Sequence, residues 1–324
     1  MEELSRYQQL IDTRLERTLF EGKPESLYGP LNYIMGLGGK RLRPMLTLIA
    51  CDMMRGDINK ALLPAIGIEV FHNYTLMHDD IMDDAPLRRG QTTVHEKWNI
   101  PTAILAGDLM FVKANELMMK GEGLARIKIL ELFNKTATEI CEGQQFDMDF
   151  EARDSVSVEE YLRMIELKTA VLLGCSLKVG ALVAEAEEND ADLLYDFGIY
   201  TGMGFQLMDD ILDVFGDAEK VGKQVAGDIL SDKKTFLLLE AFRLANEAQR
   251  GELNKWIGHA SAKPEEKVQA VKAIYHELEI ETIARNKAEE YFMKADRLLE
   301  AVNVEEERKQ NLRKYAVFLK NRIS

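Results

Sequence analysis

Two runs of aspartate carry the clearest chemical signal in this chain. The first is His78-Asp79-Asp80-Ile81-Met82-Asp83-Asp84, with Arg88-Arg89-Gly90 just beyond it; the second is Asp209-Asp210-Ile211-Leu212-Asp213. Asp79 and Asp83 are four residues apart, as are Asp209 and Asp213, so on a helix each pair shares one face. Two carboxylates about 4 Å apart repel by roughly 4 kcal/mol at an effective dielectric near 20. A chain that repeats this arrangement calls for a strongly cationic ligand. All-oxygen donors favour Mg²⁺, which takes one or two carboxylates and completes its shell with phosphate oxygens. Asp79 and Asp83 would be direct ligands with Asp80 supporting them, and Asp209, Asp210 and Asp213 would supply an opposite wall. Reading the first run as an ordinary solvated helix end is physically poor, because acids at a helix C-terminus oppose the macrodipole.

A diphosphate held by such ions also needs cations, and the chain offers them. Gly36-Leu37-Gly38-Gly39-Lys40-Arg41-Leu42-Arg43-Pro44 is a glycine-rich turn with three cations leading into an apolar helix. Its glycines expose backbone N–H groups, Pro44 suits the first helical position, and a helix N-terminus attracts anions. His72 stands seven residues before Asp79 on the same helix face, so with Lys40 and Arg43 it could donate to a phosphate. Taken singly, Arg88-Arg89, Lys168-Thr169, Gln206 and the tract Lys223 to Lys234 are ordinary surface residues. His95, His259 and His276 show no partner and read as structural or surface residues.

The elements that must position these groups are helices. Six of the seven prolines lie at or before Pro101, the seventh is Pro264, and the 162 residues from Thr102 to Lys263 contain none. Apolar residues recur there at three- and four-residue spacing, as in Leu105, Leu109 and Val112, or Leu124, Ile127, Leu130 and Phe133. That periodicity predicts long helices. The first aspartate helix is expected over Ile66 to Asp84, ending before Pro86. Turn signals fall at Gly121 to Gly123, Glu187 to Asp190 and Gly216-Asp217. Without a linker or repeat, residues 1–324 read as a single all-α domain of roughly ten helices burying their apolar stripes on one another.

Composition narrows the function classes. A formal net charge of −14 argues against nucleic acid as a partner. The most apolar stretch, Thr169 to Ala186, is broken by Lys178, so stable membrane insertion is not expected. The acidic, helix-patterned amino terminus does not read as a signal or transit peptide. Cys51, Cys141 and Cys175 form no CxxC pair and read as small hydrophobes in a reducing, cytoplasmic setting.

With these residues together, the chain resembles the trans-isoprenyl diphosphate synthase (polyprenyl synthetase) family. The resemblance runs in order from Gly36 to Thr235: GGKRLRP, HDDIMDD followed by RRG, GQQFD at Gly143 to Asp147, Lys168-Thr169, GFQLMDDILD, Gly222-Lys223 and DILSDKKT. It implies an all-α bundle of long antiparallel helices around a central cavity, working as a homodimer. It implies an enzyme that ionises an allylic diphosphate and joins it to isopentenyl diphosphate, with three Mg²⁺ ions taking up the charge of the leaving group. By position, Asp79, Asp83 and Asp209 would be metal ligands with Asp80, Asp210 and Asp213 close by. Lys40, Arg43, His72 and Arg89 would hold isopentenyl diphosphate. Arg88, Lys168, Thr169, Gln206, Lys223 and Lys233 would meet the allylic diphosphate or its cation. Two departures stand out: Phe236 occupies a stretch where the family often has proline after Thr-Leu, and Asp232 replaces a common glycine before Lys233.

Product length depends on what lines the path of the growing tail. Tyr74, five positions before Asp79, is bulky, and Thr75 beside it is small. With only two residues separating the Asp79-Asp80 pair from Asp83, the pattern resembles short-chain enzymes making products of fifteen to twenty carbons. Three other readings compete. A class I terpene cyclase would share the fold but carry a mixed second metal motif. An all-α metal-dependent phosphohydrolase would want imidazole ligands. A non-catalytic subunit of a heteromeric synthase would lack the aspartate runs.

Overall fold

The computed structural model describes residues 2–18, 20–120, 125–216, 226–258 and 263–320. They divide into two compact units. Unit 1 comprises Met1–Lys135, Cys175–Tyr195 and Asn303–Leu312, and unit 2 comprises Thr136–Gly174, Asp196–Val302 and Arg313–Ser324. Apart from one short hairpin, regular structure among the described residues is helical, as the periodicity predicts. The helices outnumber the roughly ten expected because several, such as α5 (Val94–Lys97) and α11 (Gly227–Leu230), are single turns that leave little periodic signal.

In unit 1 the glycine-rich turn leads into α3 (Leu42–Met53), and the first aspartates end α4 (Ile58–Met82). Pro44 falls at the third helical position, not the first; its missing N–H is still one that the first turn leaves without an intrahelical partner. Helix α4 begins two turns earlier than expected. Asp57 caps it by accepting from Asn59 N at 2.9 Å, and Pro64 is buried inside the helix rather than preceding it. Its carboxyl end comes where Asp83 N still bonds Asp79 O at 2.8 Å, ahead of Pro86.

The strands β1 (Leu87–Arg88) and β2 (Gln91–Thr92) pair antiparallel, Leu87 opposite Thr92 and Arg88 opposite Gln91. Arg89 and Gly90 turn the hairpin with φ of 54° and 75°, the left-handed pair that a two-residue hairpin turn requires. Then follow α5 and α6 (Ile100–Met118), which packs along α4. Close approach is possible because a Cβ at Gly67 would meet Ala114 O at 3.2 Å.

In unit 2 the second aspartates lie near the end of α10 (Glu188–Phe215), whose Met203, Leu207, Ile211 and Val214 are buried in the core. Packed into the same core are α8 (Val158–Ile165), α12 (Phe236–Leu244), α14 (Pro264–Glu277) and α15 (Ile280–Ala301). A capping box starts α8, Ser157 Oγ accepting from Glu160 N at 3.1 Å and the Glu160 carboxylate from Ser157 N at 2.8 Å. Between α8 and α9 (Val171–Val183) the chain widens into a π-helical turn, Glu166–Ala170. Such turns recur at functional sites, and this one carries Lys168 and Thr169.

No described helix is long and apolar enough to cross a membrane. The expected turn at Gly121 to Gly123 lies outside the described residues. The chain turns over Ala184–Glu187 before α10, and Gly216 follows α10 as expected.

Candidate active site

In unit 1 the aspartates of the first run divide by environment. Asp83 is exposed and Asp79 partly so, whereas Asp80 is 2% exposed. Asp80 accepts from Arg88 Nε at 2.8 Å on each oxygen, and Arg88 Nη2 lies 2.7 Å from Oδ1. This bidentate grip pins the hairpin to the end of α4. Gly107, on α6, leaves room for the His78 ring: a Cβ there would come within 2.2 Å of His78 Nε2.

The cations of unit 1 converge through the glycine turn. Arg89 donates to the carbonyl of Gly38, and a Cβ at Gly39 would meet the Arg89 guanidinium at 2.9 Å. Arg43 Nη1 lies 3.2 Å from His72 Nε2. Burial, then the charges of Arg43, Arg89, Arg88 and Arg41, hold the His72 imidazole well below its ordinary range, so it is neutral and accepts from Arg43. Burial likewise lowers the Arg89 guanidinium. Lys40 is exposed at the end of the turn. Arg41, with φ of 50°, turns inward instead and pairs with buried Glu69 at 2.6 Å. The motif thus splits: Arg41 anchors the turn, while Lys40 and Arg43 flank the anchor.

One helical turn before the acids, Tyr74 joins an aromatic cluster. Its ring centroid is 5.4 Å from Phe71, 5.7 Å from Phe111 and 4.8 Å from His78, and Phe133 lies 5.0 Å from Phe71. The Thr75 hydroxyl donates to His72 O at 2.8 Å within the helix.

Unit 2 repeats the division of the acids. Asp209 is exposed and Asp213 partly so, whereas Asp210 is 4% exposed. The Tyr161 hydroxyl donates to Asp210 Oδ2, and Gln206 Nε2 donates to Oδ1 at 3.1 Å. Thr169 Oγ1 donates in turn to Gln206 Oε1 at 3.2 Å. Burial raises Asp210 to about 8 despite those donors. Lys168 Nζ reaches Asp147 at 2.5 Å. The α7 helix (Ala125–Ala152) is pressed against that turn at Gly143, where a Cβ would be 2.4 Å from Lys168 N.

Asp213 accepts from Asp228 N at 2.9 Å. Asp228 is itself pushed up to about 6 by burial and by the charge of Asp213, with Lys233 acting in the opposite sense. Lys233 is exposed and donates its backbone N–H to Asp228 O at 2.9 Å. Asp232 occupies its unusual place with φ of 57° and pairs with Lys267 at 2.5 Å; a left-handed backbone is what glycine would favour there. Thr235 occupies the N-cap position of α12 without a side-chain capping bond, and Phe236 starts the helix. Lys223 lies outside the described residues. Asp147, Tyr161 and Asp228 lie outside the site residues that the sequence nominates. Asp147 belongs to the GQQFD tract and Asp228 opens DILSDKKT, but no local pattern announces Tyr161. A groove of about 750 Å³ in unit 2, lined by Val156, Leu162, Phe236 and Leu239 among others, contains none of the predicted site residues.

Chemically, each unit presents two accessible acids on one helix face and one buried acid that fixes its surroundings, with cations nearby. Oxygen donors so placed suit a hard divalent ion. The polyprenyl synthetase family model matches residues 24–275. A geranylgeranyl pyrophosphate synthase from Geoglobus acetivorans is 39% identical over 296 residues, covering 91% of this chain and 90% of that protein. A crystal structure of a geranylgeranyl pyrophosphate synthase superposes with a TM-score of 0.94 at 42% identity, covering 99% of each chain. The geranylgeranyl pyrophosphate synthetase of Pyrococcus horikoshii OT3 gives 0.93 at 34% identity, covering 99% of this chain and 98% of that one.

Proposed function

Because the chain belongs to the polyprenyl synthetase family, we propose that it is a trans-prenyltransferase joining an allylic diphosphate to isopentenyl diphosphate, with a twenty-carbon product. The observation that carries this reading is the repeated division of the aspartates: Asp80 and Asp210 are buried, while Asp79 and Asp83 in one unit and Asp209 and Asp213 in the other are partly or fully exposed. The all-carboxylate donor sets fit Mg²⁺, three ions in all: Asp79 and Asp83 are ligands in unit 1 with Asp80 behind them, and Asp209 and Asp213 in unit 2 with Asp210 behind them. When bound, Mg²⁺ supplies positive charge opposite the departing diphosphate.

The chain's own residues do the rest. Lys40, Arg43, His72 and Arg89 hold the diphosphate of isopentenyl diphosphate; neutral His72 turns Arg43 by accepting its N–H. By motif position, Arg88 in unit 1 and Lys168, Lys223 and Lys233 in unit 2 serve the allylic diphosphate, and Thr169 and Gln206 serve the cation formed from it. The allylic C1–O bond breaks with its electrons leaving on the diphosphate. The isopentenyl double bond then supplies the pair for the new C–C bond, and a proton passes to the released diphosphate. No protein nucleophile is required, and preorganised charge accounts for the rate.

Twenty carbons rather than fifteen is favoured by the names of the relatives, with Tyr74, set in the cluster with Phe71 and Phe111 one turn above the acids, as the stop for the growing tail. The exposed apolar face of α6, made of Ile100, Ile104, Leu105 and Val112 and continued by Met119 at its C-cap, supports a homodimer. Both units are read as parts of one catalytic domain, since the family match runs through both. Three cysteines without disulfides support a cytoplasmic setting. The deciding assay incubates the protein with Mg²⁺, isopentenyl diphosphate and each allylic primer, and sizes the products by mass spectrometry. Extension of farnesyl diphosphate to twenty carbons is expected. A cyclic hydrocarbon, or no extension of any primer, sinks the assignment.

A further inference from the structure

His95 stands apart from this machinery. Its side chain is 3% exposed, and neither ring nitrogen has a hydrogen-bond partner. Burying such a group unpaired is unfavourable. His95 Nε2 faces Glu96 Oε1 at 3.8 Å, too far for a hydrogen bond. Asp84 completes a trio whose ligand atoms all lie within 4.8 Å of one another.

We propose that Asp84, His95 and Glu96 form a binding site for a first-row divalent ion of the zinc type, separate from the Mg²⁺ carboxylates. An imidazole donor selects such an ion over Mg²⁺, and three protein ligands plus water are an established zinc arrangement. Bond lengths of about 2.0–2.2 Å put neighbouring ligand atoms roughly 3.3 Å apart. His95 is fixed by burial, whereas the exposed Asp84 and Glu96 are free to swing in by the remaining distance.

The position gives the ion a role. Asp84 directly follows the C-cap of α4, and His95 and Glu96 lie in α5, on the far side of the arginine hairpin. Thr93 already closes the hairpin's base, its hydroxyl donating to Ala85 O at 2.8 Å and its N–H to Pro86 O at 3.1 Å. An ion on the trio staples the same base and holds Arg88 and Arg89 in place.

Titrating the full chain with Co²⁺, without any diphosphate, tests this through the visible absorption of the bound ion. One saturable site with a band typical of nitrogen and oxygen ligands is expected, displaced by Zn²⁺. Its affinity should fall about 100-fold in His95→Gln and about tenfold in the surface variant Glu96→Gln. It should persist in Asp79→Asn, which separates it from the Mg²⁺ acids and from the condensing activity. Equal Co²⁺ affinity in parent, His95→Gln and Glu96→Gln, loss of the band in Asp79→Asn alone, or no saturable band overturns the proposal. Circular dichroism melts show whether His95→Gln folds; if it does not, Glu96→Gln decides.

Discussion

Arg88 lays its guanidinium across Asp80, Nε at 2.8 Å from each carboxylate oxygen. Such bidentate, charge-assisted pairing is directional as well as strong. Asp80 is thereby turned away from solvent, while its neighbours Asp79 and Asp83 stay accessible on the same helix end. The same division occurs in unit 2, where Tyr161 and Gln206 take up Asp210. The middle aspartate of each run is thus buried and held by its neighbours, and the outer two are the more exposed.

Kinetics separate these roles. Asp79→Asn should lower kcat/KM by about 10²–10³-fold and raise the Mg²⁺ concentration needed for half-maximal rate. Asp80→Asn and Arg88→Gln should each lower it less, and together little more than the worse single change, because they share one interaction. Additive losses would mean that Asp80 and Arg88 act independently.

Gly143→Ala probes the π-helical turn. The added methyl would sit 2.4 Å from Lys168 N and 2.8 Å from Leu167 C. Both are backbone atoms, so the turn or α7 must move. A stability loss of about 1–3 kcal/mol and a fall of about 100-fold in kcat from misplacing Lys168 are expected. KM for isopentenyl diphosphate should hold, since its proposed binders lie on residues 40–89. Urea unfolding and steady-state rates at varied isopentenyl diphosphate measure both effects; unchanged kcat would remove Lys168 from the chemistry.

Some of this was legible in the residues and some was not. The helical class, both aspartate runs and the glycine turn follow from spacing, because each is local. Pro64 inside α4 was not legible: burial on α3 and α6 outweighs the roughly 3 kcal/mol that an interior proline costs. Nor was the π-helical turn, since its extra residue answers to how α7 packs at Gly143 rather than to local propensity. Tyr161 reaches Asp210 across 49 residues, a separation that no local pattern reports. Asp232 stands where the family often has glycine, and the left-handed backbone that explains the glycine is not legible from the residues around it.

His72 sets a pH dependence whose sign follows from its environment. Its folded-state pKa lies well below the ordinary 6.5, through burial and then four arginines. Above pH 6.5 both folded and unfolded chains hold it neutral, and the fold keeps its full stability. As pH falls below 6.5 the unfolded chain takes up a proton that the fold refuses, so stability declines by at most about 1.4 kcal/mol per pH unit. His72→Gln should flatten the urea midpoint between pH 6.5 and 5, other titrations being common to both proteins. An equal slope in the variant would show that His72 is not the source.

Tyr74 offers the sharpest test of product length. It sits five residues before Asp79 on the helix that Asp83 caps, and its ring packs at a tilt against Phe71 and Phe111. A tail growing from an ionised C1 near those acids would run back along α4 and meet this ring first. Tyr74→Ala removes the ring but leaves Phe71, buried at 1% exposure, and Phe133 to close the space behind it. The variant should therefore extend past twenty carbons by one or two five-carbon steps, with kcat for the first condensation within about threefold of the parent because no charged group is lost. Truncating an aromatic that is already partly exposed should cost less than the roughly 3–5 kcal/mol of a core residue. Mass spectrometry of the products, with thermal melting as the folding control, reads both. A folded Tyr74→Ala protein that still stops at the parental length would move the floor of the tail path to another residue.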